Sequence, residues 1–132
     1  MDSDELLELA KKARLFSGAV ISNFKVGAAL LTSSGKVFLG CNIEDPSGVG
    51  VTNICAERCA MVKALSEGHR DFEKIAVVGG IDELIFCTPC GVCRQYLNTF
   101  CPDIVVACLD DDGAIKEFAL KDLLPYSFSE KF

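Results

Sequence analysis

Two short segments carry the residue types that do chemistry: Cys55-Ala56-Glu57-Arg58 and, farther along, Thr88-Pro89-Cys90-Gly91-Val92-Cys93-Arg94-Gln95. The first supplies one thiol and the second supplies two. Three thiolates can hold a Zn²⁺ and leave its fourth position to water, the arrangement of a catalytic rather than a closed structural site. Glu57, two residues after Cys55, is then placed to move protons for that water. Cys90 and Cys93 are spaced i, i+3, on one side of a helical turn. Glu57 lies about 200° around a helix from Cys55, so both reach one spot only if it lies off the helix start. Helix starts at that spot would each add about half a positive charge. That offsets the net negative charge of three thiolates on one Zn²⁺, and Arg58 or Arg94 could add to it.

Other readings of the same residues stay open. A lone Cys-x-x-Cys also occurs in redox sites and in ordinary cores. The run Cys87-x-x-Cys90-x-x-Cys93 makes a closed four-cysteine structural site with Cys55 conceivable, although Cys87 falls at a strand end before the helix begins. On residue type alone, Phe24 reads as core, Asn42 as a turn residue, Glu44 as a solvated loop charge and Arg58 as a surface helix residue.

The elements that must position these groups follow from periodicity. Residues 4–16 read as an amphipathic helix with Leu6, Leu9, Ala10, Ala13 and Phe16 on one face, ended by Gly18. Asp2 with Glu5 suggests a capping box, and Glu8 to Lys12 a charge pair. Lys25–Leu31 and Lys36–Cys41 read as a hairpin through Thr32-Ser33-Ser34-Gly35. Residues 42–53 form a loop. Residues 55–67 read as a helix with Cys55, Cys59, Val62 and Leu65 as its apolar stripe and Gly68 as its C-terminal glycine. Lys74–Val78 is a strand buried on both faces, and Leu84–Cys87 a second strand. Thr88 is expected to cap a third helix with Pro89 at its first position. Ile104–Leu109 is a buried strand, Ile115–Phe118 an edge segment and Lys121–Leu124 a short helix. This order fits one mixed sheet between helices.

The chain has 132 residues, which suits a single domain over 1–132. Its formal charge of −6 argues against DNA or RNA as a partner and for a free small molecule. The acidic opening does not read as a secretory signal, and no apolar run is long enough to span a membrane. Eight cysteines in such a chain point to a reducing, cytoplasmic setting with thiols free or on metal. The lone histidine, His69, is expected at a helix end, exposed and uninvolved.

A cysteine ligand, a nearby glutamate and a Pro-Cys-x-x-Cys pair together mark zinc-dependent nucleobase deaminases. The chain resembles the small, homotetrameric zinc-dependent cytidine deaminases over nearly its whole length. The resemblance rests on Ser22-Asn23-Phe24-Lys25-Val26-Gly27-Ala28-Ala29-Leu30, Gly40-Cys41-Asn42-Ile43-Glu44, the two segments above, and Leu124-Pro125-Tyr126-Ser127-Phe128. It implies an α/β fold, a three-layer α/β/α sandwich with a five-stranded mixed sheet. It implies one Zn²⁺ per chain on Cys55, Cys90 and Cys93, with Glu57 as proton shuttle and Arg58 supporting the thiolates. Phe24, the Ala56 N–H and Glu57 would meet the base, Asn42 and Glu44 the ribose, and Phe128 would close the pocket.

The implied activity is hydrolysis of cytidine and deoxycytidine to the uracil nucleosides and ammonia, a pyrimidine-salvage step. The alternatives are a deaminase of a modified nucleoside such as blasticidin S, a binding protein with structural zinc, and an RNA-editing deaminase. Two departures stand out. Ile21 occupies a position where the family usually carries tyrosine, and the loop from Asp45 to Ile54 lacks the usual aromatic. These bear on the sugar 5′-hydroxyl and on a neighbouring subunit's site.

Overall fold

The computed structural model describes residues 1–129. Helix α1 runs Ser3–Arg14 and is capped by Asp2, whose carboxylate accepts from the Glu5 N–H at 2.9 Å. The helix stops at Arg14, before Gly18, so Phe16 leaves the core stripe and is 81% exposed. Glu8 pairs with Lys11 at 2.7 Å, one residue earlier than the expected Lys12. Strands β1 (Lys25–Thr32) and β2 (Val37–Cys41) form the expected antiparallel hairpin. Helix α2 (Ala56–Ser66) follows the loop, with Gly68 just past its end at φ +91°. Strand β3 (Phe72–Gly80), helix α3 (Gly91–Phe100), strands β4 (Val105–Leu109) and β5 (Ile115–Ala119) and the short α4 (Leu120–Leu123) complete the order.

The sheet order is β2-β1-β3-β4-β5. Only the β3/β4 pair is parallel, and α3 is the crossover between them. Successive residues of the central strands feed opposite layers, as strand geometry requires. Ala28 and Leu30, Ile75 and Val77, and Val106 and Cys108 pack with α2 and α3. Ala29 and Leu31, Ala76 and Val78, and Ala107 pack with α1. Both faces of the sheet are therefore buried, and the architecture is the expected α/β/α sandwich with a five-stranded mixed sheet.

Four sequence expectations need correction. The buried face of α2 is Ala56, Glu57, Ala60, Met61 and Ala64, rather than the stripe through Cys59 and Val62. Small residues win there because α2 lies directly on β2: a Cβ on Gly40 would come 2.3 Å from the Ala56 carbonyl oxygen. Residues 84–87 are not a strand. The chain doubles back so tightly after Gly80 that a Cβ there would overlap the Glu83 carbonyl, and one antiparallel bridge, Gly79 to Ile85, is all that forms. Helix α3 starts at Gly91 with Cys90, not Thr88, as its N-cap. His69 is half-buried rather than exposed, its ring packed edge-on to Phe38 with centroids 5.1 Å apart.

Candidate active site

Cys55 and Cys90 are the N-cap residues of α2 and α3, both in extended backbone conformation, and neither thiol caps its own helix. Both sulfurs are thus free to bond elsewhere, at helix ends whose partial positive charge favours thiolate. The sulfurs of Cys55, Cys90 and Cys93 lie within 4.8 Å of one another. Cys55 Sγ and Cys90 Sγ are 3.7 Å apart. Tetrahedral ligands at zinc–sulfur distances of about 2.3 Å stand roughly 3.8 Å apart, so the donor set fits Zn²⁺. Burial is graded: Cys93 is buried, Cys55 half-buried and Cys90 exposed. One side of the cluster is therefore open, as a catalytic rather than closed site requires. Cys87 stands outside the sulfur cluster, which removes the four-cysteine arrangement. Its thiol packs where a Cβ on Gly79 would come within 2.8 Å, and burial pushes its pKa up to about 12.

Charge within the cluster is uneven. A hydrogen bond from Cys93 and the Arg58 guanidinium bring Cys55 down to about 5. Cys93 is pushed up, mainly because it donates that hydrogen bond and because it is buried. Arg58 Nη2 lies 3.6 Å from Cys55 Sγ, so the residue is a partner of the cluster rather than a surface helix charge. Arg94 does not serve the sulfurs. It donates to the Pro89 carbonyl at 2.7 Å, the Thr88 hydroxyl at 2.8 Å and the Leu123 carbonyl at 2.6 Å. It thereby holds the turn that delivers Cys90.

Glu57 is buried, with 4% of its surface exposed. Burial first, and the nearby Cys55 sulfur second, raise its pKa to about 7. A carboxyl poised at neutral pH both accepts and returns protons readily. It faces a cavity of about 290 Å³ that also meets Phe24, Asn42, Glu44, Cys55, Ala56 and Cys90. Val26, Asn53, Ile54, Cys87 and Thr88 line the same cavity. Val26 and Thr88 lie inside the motifs quoted above, and Ile54 adjoins one; Asn53 carries no motif signal, and Cys87 lines the cavity without joining the sulfur cluster.

Two sequence expectations change here. Phe128 does not reach this cavity: it is 74% exposed, and its carbonyl accepts from Gln95 Nε2 on α3 at 2.8 Å. Glu44 is half-buried rather than a solvated loop charge, and its carboxylate accepts the N–H groups of Ile21 at 2.8 Å and Ser22 at 2.9 Å. The loop after it is stitched by Asp45, which accepts from Ser47 and Thr52 at 2.6–2.8 Å.

The family described as "Cytidine and deoxycytidylate deaminase zinc-binding region" matches residues 1–109. A cytidine deaminase of Halalkalibacterium halodurans is 44% identical over 130 residues, covering 98% of this chain and 96% of its own. A crystal structure of cytidine deaminase from Burkholderia pseudomallei superposes with a TM-score of 0.87 at 42% identity, covering 97% of this chain and all of that one. A blasticidin-S deaminase of Bacillus cereus is more distant, 30% identical over 110 residues, covering 79% of this chain and 76% of its own.

Proposed function

The chain belongs to the cytidine and deoxycytidylate deaminase family, and from that premise we propose that it hydrolyses cytidine and deoxycytidine to uridine and deoxyuridine with release of ammonia. The observation that carries this reading is the buried Glu57, poised near neutral pH beside three convergent sulfurs at the wall of one cavity. Cys55, Cys90 and Cys93 hold the zinc. When bound, zinc supplies a water that ionises near neutral pH and becomes a strong nucleophile.

Glu57 takes one proton from the attacking water and delivers it to ring N3 while the water oxygen bonds to C4. It then carries the second proton to the amino group. The C4–N bond breaks, ammonia leaves and the ring retains the carbonyl of uracil. The Ala56 N–H and Glu57 orient the ring, and Phe24 packs against it. Asn42 and Glu44 contact the ribose. Arg58 holds negative charge on Cys55.

The homotetrameric state, the role in pyrimidine salvage and the cytoplasmic setting belong to the same proposal. The family resemblance supports the first two and the eight cysteines support the third. Among the described residues, no helix is long and apolar enough to cross a membrane. The reading is tested by ammonia release from purified protein offered cytidine, deoxycytidine, cytosine and blasticidin S. Turnover of the two nucleosides is expected. Turnover of blasticidin S alone would replace the substrate, and no turnover of any would leave a binding protein.

A further inference from the structure

The arch of residues 17–24 between α1 and β1 carries Phe24 to the cavity without regular secondary structure. Within it Asn23 sits at φ +59°, in the left-handed region. Asparagine enters that region more readily than most residues other than glycine, and here its neighbours hold it there. Its own N–H donates back to the Ala19 carbonyl at 3.0 Å, and residues 42–44 hold the chain on either side of it. Asn42 Nδ2 donates to the Phe24 carbonyl at 2.7 Å, and Asn42 Oδ1 accepts the Val26 N–H at 2.9 Å. Glu44 Oε1 accepts both the Ile21 and Ser22 N–H groups. Ser22 Oγ in turn accepts the Phe24 N–H at 3.0 Å. Glu44 Oε1 is thus occupied by the chain itself.

We propose that Glu44 is a positioning residue for the aromatic wall of the pocket: it locks residues 21–22, and through them Phe24, in addition to the ribose contact assigned above, on which this inference rests. One carboxylate then couples sugar recognition to base packing. A contact to the 2′- or 3′-hydroxyl alone would be irrelevant to a nucleoside that lacks both. A positioning residue still matters for it.

The test compares wild type, Glu44→Ala and Glu44→Gln on cytidine and on 2′,3′-dideoxycytidine, by kcat and KM. Amide hydrogen exchange at Ile21 and Ser22 is measured in the zinc-loaded enzyme without substrate. Two charge-assisted hydrogen bonds are lost in Glu44→Ala, so kcat/KM on 2′,3′-dideoxycytidine should fall by about tenfold or more, with both amides losing protection. Glu44→Gln keeps an acceptor oxygen and should recover most of both.

A Glu44→Ala penalty confined to cytidine, or Ile21 and Ser22 amides that exchange as in wild type, overturns the proposal and leaves the ribose contact intact. Equal penalties on both substrates, with the amides deprotected, support positioning and remove the ribose contact. Two unaffected substrates remove both roles. Because Glu44 lies in a surface loop, an unchanged melting temperature in Glu44→Ala separates these outcomes from unfolding.

Discussion

Glu57 sits in the first turn of α2, two residues from Cys55, with water nearly excluded. Its neutral form is the cheaper one to bury, which sets the sign of its effect on stability. Its pKa rises from the usual 4.5 to about 7, so its contribution to stability is present below 4.5 and lost as the pH climbs through 7. In chelator-treated protein, Glu57→Gln should therefore gain on wild type between pH 5 and 8, by on the order of 1–3 kcal/mol. Melting temperatures across that range check it, and a gap independent of pH would mean that Glu57 is ionised throughout. In the loaded enzyme Glu57→Gln should keep zinc and fold while kcat drops by at least about 10², the lower range for a general acid–base group. Replacing Cys55, Cys90 or Cys93 by Ser should lose zinc by metal analysis, whereas Cys87→Ser and Cys59→Ser should keep it. The spacing of the three cysteines was legible because two helix starts fix them, Cys55 at that of α2 and Cys90 with Cys93 at that of α3. The hydrogen bonds that tie Asn42 and Glu44 to the preceding segment were not, because their partners at Val26, Ile21 and Ser22 lie 16 to 23 residues away.

Helix α2 reaches the site only because β2 lets it come close. A Cβ on Gly40 would meet backbone of α2 at 2.3 and 2.5 Å, with no flexible side chain to give way. Gly40→Ala should destabilise the fold by about 1–3 kcal/mol and lower activity, since the turn it displaces carries Cys55 and Glu57. Gly50→Ala, with open space around it, should change neither melting temperature nor kcat/KM by much. Among the described residues, apolar patterning and cap and turn residues located the four α-helices and five strands, because apolar runs and 3.6-residue stripes record burial directly. Patterning misplaced the face of α2, since alanines carry little hydrophobic signal even when wholly buried. It also made a strand of residues 84–87. Their β-branched and aromatic composition suits a sheet, but the turn after Gly80 and the delivery of Thr88 and Pro89 leave no neighbour to pair with.

At the scale of the whole molecule, Phe16, Val51, Tyr126 and Phe128 stand exposed on the single chain. The proposed tetramer gives such residues a partner, and sedimentation should then report four times the 14.2 kDa chain mass. Phe128 lies outside its own chain's cavity, so a closing role for it would fall on a neighbouring subunit's pocket. Phe128→Ala is expected to raise KM in the tetramer, and an unchanged KM would remove that role. Contacts between chains leave no period in a single sequence, so this level was legible only through resemblance. A last consequence concerns how the molecule comes apart. Cys55 and Cys90 lie 35 positions apart in the chain and open two different helices. An ion shared between them is a clasp closing a loop of that length across the middle of the polypeptide. The unfolded chain rarely brings those sulfurs together, so the ion binds the folded chain preferentially and stabilises it by mass action. Chelation should accordingly lower the denaturant midpoint and speed unfolding, making metal supply a determinant of the protein's lifetime as well as of its chemistry.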